Sequence, residues 1–147
     1  MNILKIIICF IFLLNSFLIK SEEENQYSQY TYGGIGLIET PTARFSSDGE
    51  FAFGISSEKP YKRLYSKVQI FPWMEAVLKY TEGTHRPYSP GNKQTWKDKG
   101  LDVKFRLIEE NDFLPEMAMG LLDIGGTGAY SGEYIVAKSC PLLIFSP

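Results

Sequence analysis

The sequence has little of what metal proteins and small hydrolases use. It holds a single histidine, His85, and two cysteines, Cys9 and Cys140, in 147 residues. Metal ligands occur in clusters, and a catalytic nucleophile needs a nearby base and a group that orients it. A lone histidine without such neighbours is interpreted as a surface residue. We therefore predict a protein that is not an enzyme, with no catalytic residue, no metal and no bound cofactor.

An excess of positive charge is also missing, since the formal net charge is −2. This balance is not basic enough to suggest nucleic acid, and we predict no nucleic-acid partner. The stretch "GGTG" at Gly125 to Gly128 lacks the Gly-Lys-Ser/Thr ending of a phosphate loop and is read as a hairpin turn. Glu109, Glu110 and Asp112 lie close together in sequence, but nothing places two of them across a cleft as in glycosidases. They are read as a solvated loop.

Long hydrophobic runs are confined to the amino terminus. Lys5 precedes an apolar run that begins at Ile6 and ends at Lys20 and three glutamates. A transmembrane helix needs about 20 apolar residues, and this run is shorter. We therefore predict a signal peptide over residues 1–21, cleaved between Ser21 and Asn25, and a polar leader over residues 22–31. An uncleaved anchor is the alternative. Cys9 is flanked by Ile and Phe, and lipidation is not predicted.

The chain is rich in aromatic residues, at 14%, and contains 13 glycines, a composition that favours strands and tight turns. Beyond the signal, apolar and polar residues alternate with a period of two, which is the pattern of half-buried strands, and no helical period is found. Turn residues separate these runs. We predict an all-β antiparallel meander with strands over 50–56, 61–70, 74–81 and 101–107, and loops over 82–100, 108–116 and 123–128.

One face of the predicted strands is apolar and the other is charged. Between Leu101 and Leu107 the apolar side chains alternate with Asp102, Lys104 and Arg106, and successive strand residues point to opposite faces. A soluble sandwich hides its apolar face, whereas an outer-membrane barrel turns that face to lipid and keeps a polar lumen. The possible lumen-facing residues are Arg63, Lys67, Glu75, Lys79, Asp102, Lys104 and Arg106. Pairing between strands that merely keeps a lumen hydrated is the simpler role for them.

Aromatic residues near the predicted strand ends favour the barrel, because such residues gather at the membrane interfaces. They are Tyr61, Phe71, Trp73, Tyr80, Trp96, Phe113 and Tyr130. Aromatic residues are also common in soluble strands, so this pattern alone leaves both architectures open.

Several motifs, in order along the chain, resemble the YjbH family of outer-membrane exopolysaccharide-biosynthesis proteins. They are "GLIETPTAR", "DGEFAFG", "PYKRLYSKVQIFPWMEAVLKYTE", "DKGLDVKFRLIEE", "LPEMAMGLLDIGGTG" and "SGEYIVAKS". The resemblance covers residues 32–138, which we assign to a β-barrel domain, and leaves an atypical tail over 139–147. It implies a large outer-membrane β-barrel that serves polysaccharide production or export.

The predicted barrel is incomplete in this chain. About seven strands are counted, fewer than the roughly eight of the smallest bacterial barrels, and open edges in lipid leave backbone groups unpaired. We expect an amino-terminal part of the family's domain, unless an eighth strand lies near residues 26–38.

Two functions from different classes follow from these features. The first is a non-enzymatic outer-membrane barrel component of exopolysaccharide or capsule biosynthesis or export, in contact with outer-membrane lipid, exopolysaccharide and other export proteins. The second is a soluble periplasmic or secreted β-domain that binds carbohydrate. The expected location is the outer membrane, with the periplasm as the alternative.

Overall fold

The computed structural model describes residues 27–91 and 93–139 of the chain. The predicted signal peptide and its cleavage site, Cys9, Cys140 and the tail after Ser139 lie outside these residues. No helix in the described part is long and apolar enough to cross a bilayer. Strands are the only regular secondary structure in the described residues. Eight strands follow one another: β1 (Gly36–Leu37), β2 (Thr40–Pro41), β3 (Phe51–Glu58), β4 (Tyr61–Phe71), β5 (Met74–Pro87), β6 (Thr95–Ile108), β7 (Glu116–Leu122) and β8 (Gly132–Lys138).

Strands β3 to β8 form one six-stranded antiparallel sheet in sequence order, and β1 pairs with β2 in a separate hairpin. The predicted all-β antiparallel meander is therefore confirmed. Neither sheet is closed in the described residues, so membership of a barrel stays a prediction. The short turn between β4 and β5 lies at Pro72 and Trp73, as the sequence indicated.

The hairpin of β5 and β6 corrects one predicted loop. Residues 82–100 were expected to be loop because they are polar and contain Gly, Pro and Asn. In the structure β5 continues to Pro87 and β6 begins at Thr95, and Gly83 pairs with Trp96. Most side chains at this end of the hairpin are exposed, so their polarity does not have to alternate between two faces. The backbone pairing therefore continues beyond the alternating part of the sequence.

Residues 27–50, which we name the N-terminal cover, lie across one face of the six-stranded sheet. The predicted barrel domain begins at residue 32, and its residues 32–50 hold the short β1–β2 hairpin ahead of the first long strand. The cover supplies much of the buried apolar surface, with Tyr30, Ile35, Ala43 and Phe45 all buried. Ala43 and Phe45 pack with Ala118 of β7 and with Val136 of β8.

The sheet has the reverse of a soluble protein's burial pattern. The face under the cover carries charged and polar side chains, and Lys67 there is 0% exposed. The opposite face carries large apolar side chains that are open, and Phe53 is 64% exposed. Soluble proteins bury Phe and Ile and rarely bury Lys fully, so the open face is expected to meet something other than water.

On the covered face, Gly54 and Gly120 each lie directly opposite a tyrosine. Gly54 pairs with Tyr65 across β3 and β4, and Gly120 pairs with Tyr134 across β7 and β8. A Cβ atom on Gly120 would lie 2.1 Å from Cζ of Tyr134, far inside contact distance. The missing side chain lets the tyrosine ring lie flat over the neighbouring strand.

Replacing Gly120 with valine should therefore lower the free energy of unfolding by about 1–3 kcal/mol, because the added methyl groups must displace the Tyr134 ring. Urea unfolding of the protein folded in detergent measures this change. Gly132→Val is the matched control, since a Cβ there meets only Leu122 Cδ1 at an ordinary 3.6 Å. Equal stabilities of the two variants would contradict the close packing.

Candidate functional site

The structure places the seven possible lumen-facing residues on the covered face of three neighbouring strands. Arg63 and Lys67 lie on β4, Glu75 and Lys79 on β5, and Asp102, Lys104 and Arg106 on β6. Six of the seven side chains are buried and Arg106 is half-buried. Period-two alternation along three paired strands brings them together.

Two buried ion pairs connect β5 and β6. Nζ of Lys79 donates to both carboxylate oxygens of Asp102, at 2.6 and 2.7 Å. Nζ of Lys104 lies 3.1 Å from a carboxylate oxygen of Glu75, which is its direct cross-strand neighbour. Removing one partner of such a buried pair leaves a charge without compensation, which is strongly destabilising. These pairs are therefore structural elements of the sheet.

Around Lys104, the cover binds the charged face through a backbone carbonyl group and the ring of Phe45. Nζ of Lys104 also donates to the carbonyl oxygen of Arg44 at 2.8 Å. Lys104 and Arg106 lie over the ring of Phe45, at 4.5 and 4.7 Å from its centroid. Such cation–π contacts strengthen when both groups are desolvated. The charged side chains are therefore packed beneath protein along this part of the face.

Arg44 extends the charge network to β7 and the connection before it. Its Nη1 atom lies 2.9 Å from Glu116 and 2.5 Å from Glu110. Glu116 also lies 3.1 Å from Nε of Arg106. Arg44 thereby fastens the cover to the edge region of the sheet.

The carboxyl end of the cover is held by Lys67. Nζ of Lys67 donates to Glu50 at 2.8 Å and also contacts Ser46. Burial alone would raise the pKa of Glu50, but the hydrogen bond and the charge of Lys67 outweigh it and hold that pKa below its usual value. The contribution of Glu50 to stability is therefore present above its unfolded-state pKa and is lost as the pH falls through the depressed pKa.

Arg63 differs from the other cations of this face. It is 4% exposed, yet no carboxylate in the described part of the chain lies within ion-pair distance. Its Nε and Nη1 atoms have no hydrogen-bond partner there. The rings of Tyr32 and Tyr61 lie 4.5 and 5.0 Å from its guanidinium carbon. Among the described residues, Arg63 is therefore a buried cation that contacts aromatic rings and no anion.

Aromatic side chains gather at both ends of the sheet. At the end with the short β4–β5 turn, Phe71 stacks on Trp73 at 5.4 Å and Trp73 on Phe105 at 6.2 Å. We name these three residues the turn-end cluster. Five of the seven aromatic residues noted in the sequence lie in the clusters at the two ends, while Tyr80 lies within β5 and Phe113 in the connection before β7.

The loop-end cluster lies at the opposite end and consists of Tyr61, His85, Trp96 and Tyr130. Tyr61 contacts His85 at 5.3 Å and Tyr130 at 6.2 Å, and Trp96 contacts Tyr130 at 5.8 Å between ring centroids. Burial and the neighbouring Tyr61 raise the pKa of Tyr130 to about 12, so the phenol is neutral at physiological pH.

The glycine-rich stretch at 125–128 belongs to the connection between β7 and β8. The backbone N–H of Asp123 donates to Asp102 at 2.8 Å, and the hydroxyl of Thr127 donates to Asp98 at 2.6 Å. Asp123 itself has a positive φ of 56°. The connection is therefore folded back on the carboxylates of β6.

The remaining residues considered for chemistry do not assemble into a site in the described part of the chain. His85 is exposed and lies on the β5 extension, where the sequence predicted a loop. Glu109 and Asp112 are exposed in the connection before β7, and Glu110 binds Arg44. Among the described residues, no group of three His, Cys, Asp or Glu side chains is arranged to hold a metal ion.

Sequence reasoning missed several residues that bind the charged face. Arg44 lies outside the alternating runs, so no local signal marked it, whereas Glu50 begins the predicted strand over 50–56 and was not included among the possible lumen-facing residues. Glu116 could have been found, because Glu116, Ala118 and Gly120 alternate with Met117 and Met119 in the same manner as the other strands.

The fold and the charged face together define an antiparallel sheet protein whose polar face is covered and whose apolar face is open. Residues 28–142 match the YjbH family, described as "Exopolysaccharide biosynthesis protein YbjH", and the chain belongs to this family. It is 45% identical over 115 residues to the "Uncharacterized lipoprotein YjbH" of Escherichia coli strain K12, across 76% of this chain and 16% of the relative. The chain thus spans about one sixth of that relative's length. No solved structure matches it.

Proposed function

We propose that this chain is exported and that its six-stranded sheet forms part of the wall of an outer-membrane β-barrel, which serves exopolysaccharide biosynthesis or export without catalysing a reaction. The observation that carries the proposal is the reversed burial pattern. Phe53, Ile55 and Leu78 are more than half exposed on one face, while Lys67, Lys79 and Lys104 are buried on the other. Strands of membrane barrels alternate in this sense, with apolar side chains toward lipid.

The strand lengths agree with this location. β4 has eleven residues, from Tyr61 to Phe71. At about 3.4 Å per residue and a tilt of about 45°, such a strand rises about 25 Å along the membrane normal, which matches the apolar band of outer-membrane barrels. The turn-end cluster and the loop-end cluster lie at the two ends of this strand, where interfacial aromatic residues are expected.

The role in exopolysaccharide biosynthesis rests on the family description. A relative named a lipoprotein supports an exported, membrane-associated protein. The prediction that Cys9 of this chain is not lipidated concerns residues outside the described part and stays a prediction.

The soluble carbohydrate-binding alternative is less well supported. Such a domain would have to leave a broad apolar face in water, including Phe51 at 66% and Ile135 at 68% exposure on opposite edge strands. Exposed apolar patches of this extent mark membrane or partner contacts.

Extraction of membranes from an exporting cell tests the location. The mature chain should stay in the pellet after a sodium carbonate wash and become soluble in detergent, because the apolar face needs lipid or micelles. A periplasmic binding protein added as an internal control should be released by the wash. Complete release of the chain together with that control would exclude the membrane sheet and favour the soluble alternative.

A further inference from the structure

We infer that Arg63 and the aromatic rings around it form a subsite for an acidic saccharide unit, meaning a sugar ring that carries a carboxylate. The inference rests on the proposed function, because the polysaccharide role supplies the class of ligand. It adds to that function the chemistry that the ligand must have.

The first argument is the missing counter-ion of Arg63. The four other cations of the predicted set are each within ion-pair distance of a carboxylate, in the pairs Lys67–Glu50, Lys79–Asp102, Lys104–Glu75 and Arg106–Glu116. Arg63 is as buried as these lysines and has none in the described residues. A buried charge without a partner is costly, so an anion that binds there removes a penalty already present in the unliganded protein.

Asp98 is the nearest acidic residue in the same cross-strand row. Arg63 pairs with Thr81, and Thr81 pairs with Asp98, so the two charged residues are separated by a whole strand. Two strand spacings amount to about 10 Å between the backbones. Asp98 also accepts a hydrogen bond from Thr127. It therefore does not replace the missing counter-ion.

The second argument is the geometry of the guanidinium group. Tyr32 and Tyr61 lie over it, but the N–H bonds point in its own plane, where Nε and Nη1 lack partners. These donors suit a carboxylate, whose oxygens accept charge-assisted hydrogen bonds from arginine in that plane. Tyr32 belongs to the cover, whereas Tyr61 is the first residue of β4, so the two rings that flank the guanidinium group come from different segments of the chain.

The third argument is the aromatic surface beside Arg63. Tyr61 and Trp96 both pair with Gly83 of β5, which has no side chain to separate them. Together with Tyr130 they are half-buried and therefore partly open to solvent at the loop end. Aromatic rings offer large apolar area with a polar edge, which suits the C–H face and hydroxyls of a sugar. A carboxylate on such a sugar would reach the guanidinium group.

Titration of the full chain, folded in detergent, with trigalacturonate tests the inference. The chain has two tryptophans, and a Trp73→Phe background leaves Trp96 as the fluorescent reporter. Trigalacturonate should change the Trp96 emission, whereas neutral maltotriose at the same concentration should not. Arg63→Gln should weaken trigalacturonate binding at least tenfold. Lys62→Gln, which removes the adjacent exposed charge of β4, should leave it unchanged.

Three results would overturn the inference. These are equal binding of trigalacturonate and maltotriose, unchanged binding by Arg63→Gln, and full competition by inorganic phosphate or acetate alone at the concentration of the trisaccharide. If Arg63→Gln does not fold, Arg63→Lys keeps the charge and loses the planar donors. Arg63→Lys should still weaken binding severalfold, and unchanged affinity would contradict the assigned site.

This assay is independent of the carbonate wash. Arg63-dependent binding by a chain that the wash releases would keep the subsite and reject the membrane sheet. A chain that stays in the membrane and shows no Arg63-dependent binding would reject the subsite and keep the proposed function.

Discussion

Replacing Lys79 with methionine should lower the free energy of unfolding by about 3–5 kcal/mol, because it leaves the carboxylate of Asp102 buried without a cation. Lys79 and Asp102 are both about 5% exposed, and their ion pair joins β5 to β6 within the charged face. Methionine keeps a similar length, so lost packing contributes little to the change. Urea unfolding of the full chain in detergent measures the effect.

Two further variants separate the ion pair from other causes. Lys62→Met removes an exposed charge from β4 and should change stability by less than about 0.5 kcal/mol. The double variant Lys79→Met, Asp102→Asn should recover much of the loss, since a neutral amide replaces the unpaired carboxylate and its oxygen can still accept the N–H of Asp123. A loss in Lys79→Met no larger than in Lys62→Met would contradict the buried pair.

Replacing Leu78 with arginine, one residue earlier on the same strand, should block membrane assembly instead. Leu78 lies on the open face, with Ser66 and Leu101 as its cross-strand neighbours. An arginine facing lipid near the midplane costs about 2–4 kcal/mol. In water the same change would be favourable, because it replaces an exposed apolar side chain with a charged one. The fraction of mature chain that resists carbonate extraction and added protease measures assembly.

Tyr88→Arg is the matched control for this prediction. Tyr88 follows β5 at the loop end and is 61% exposed, as is Leu78, so the two substitutions meet equal solvent exposure in the isolated sheet. Tyr88 lies beyond the end of β5 and therefore outside the proposed apolar band of the membrane. Tyr88→Arg should assemble normally, and equal assembly of both variants would contradict the lipid-facing assignment of the open face.

Much of the sheet could be predicted from local sequence, because the side-chain period of a strand is set by backbone geometry alone. Alternation placed Arg63 and Lys67 on the face opposite Leu64 and Val68, and the structure has them so. The same reasoning failed over residues 82–100. There the hairpin is held by backbone pairs such as Gly83 with Trp96. Its side chains are mostly exposed, so apolar and polar residues do not alternate in the sequence.

The sequence by itself determined the antiparallel meander, the division of each strand into an apolar and a charged face, and the membership of the family. The tertiary structure alone decided that the charged face is covered, and by which segment. Lys104 reaches the carbonyl oxygen of Arg44 across 60 positions in the chain, and Arg44 reaches Glu116 across 72. Such contacts leave no local period, because they depend on how distant segments pack. The sequence showed Arg63 as one charged residue among seven, and only the structure, in which no described carboxylate lies within ion-pair distance of it, distinguished Arg63 from the others.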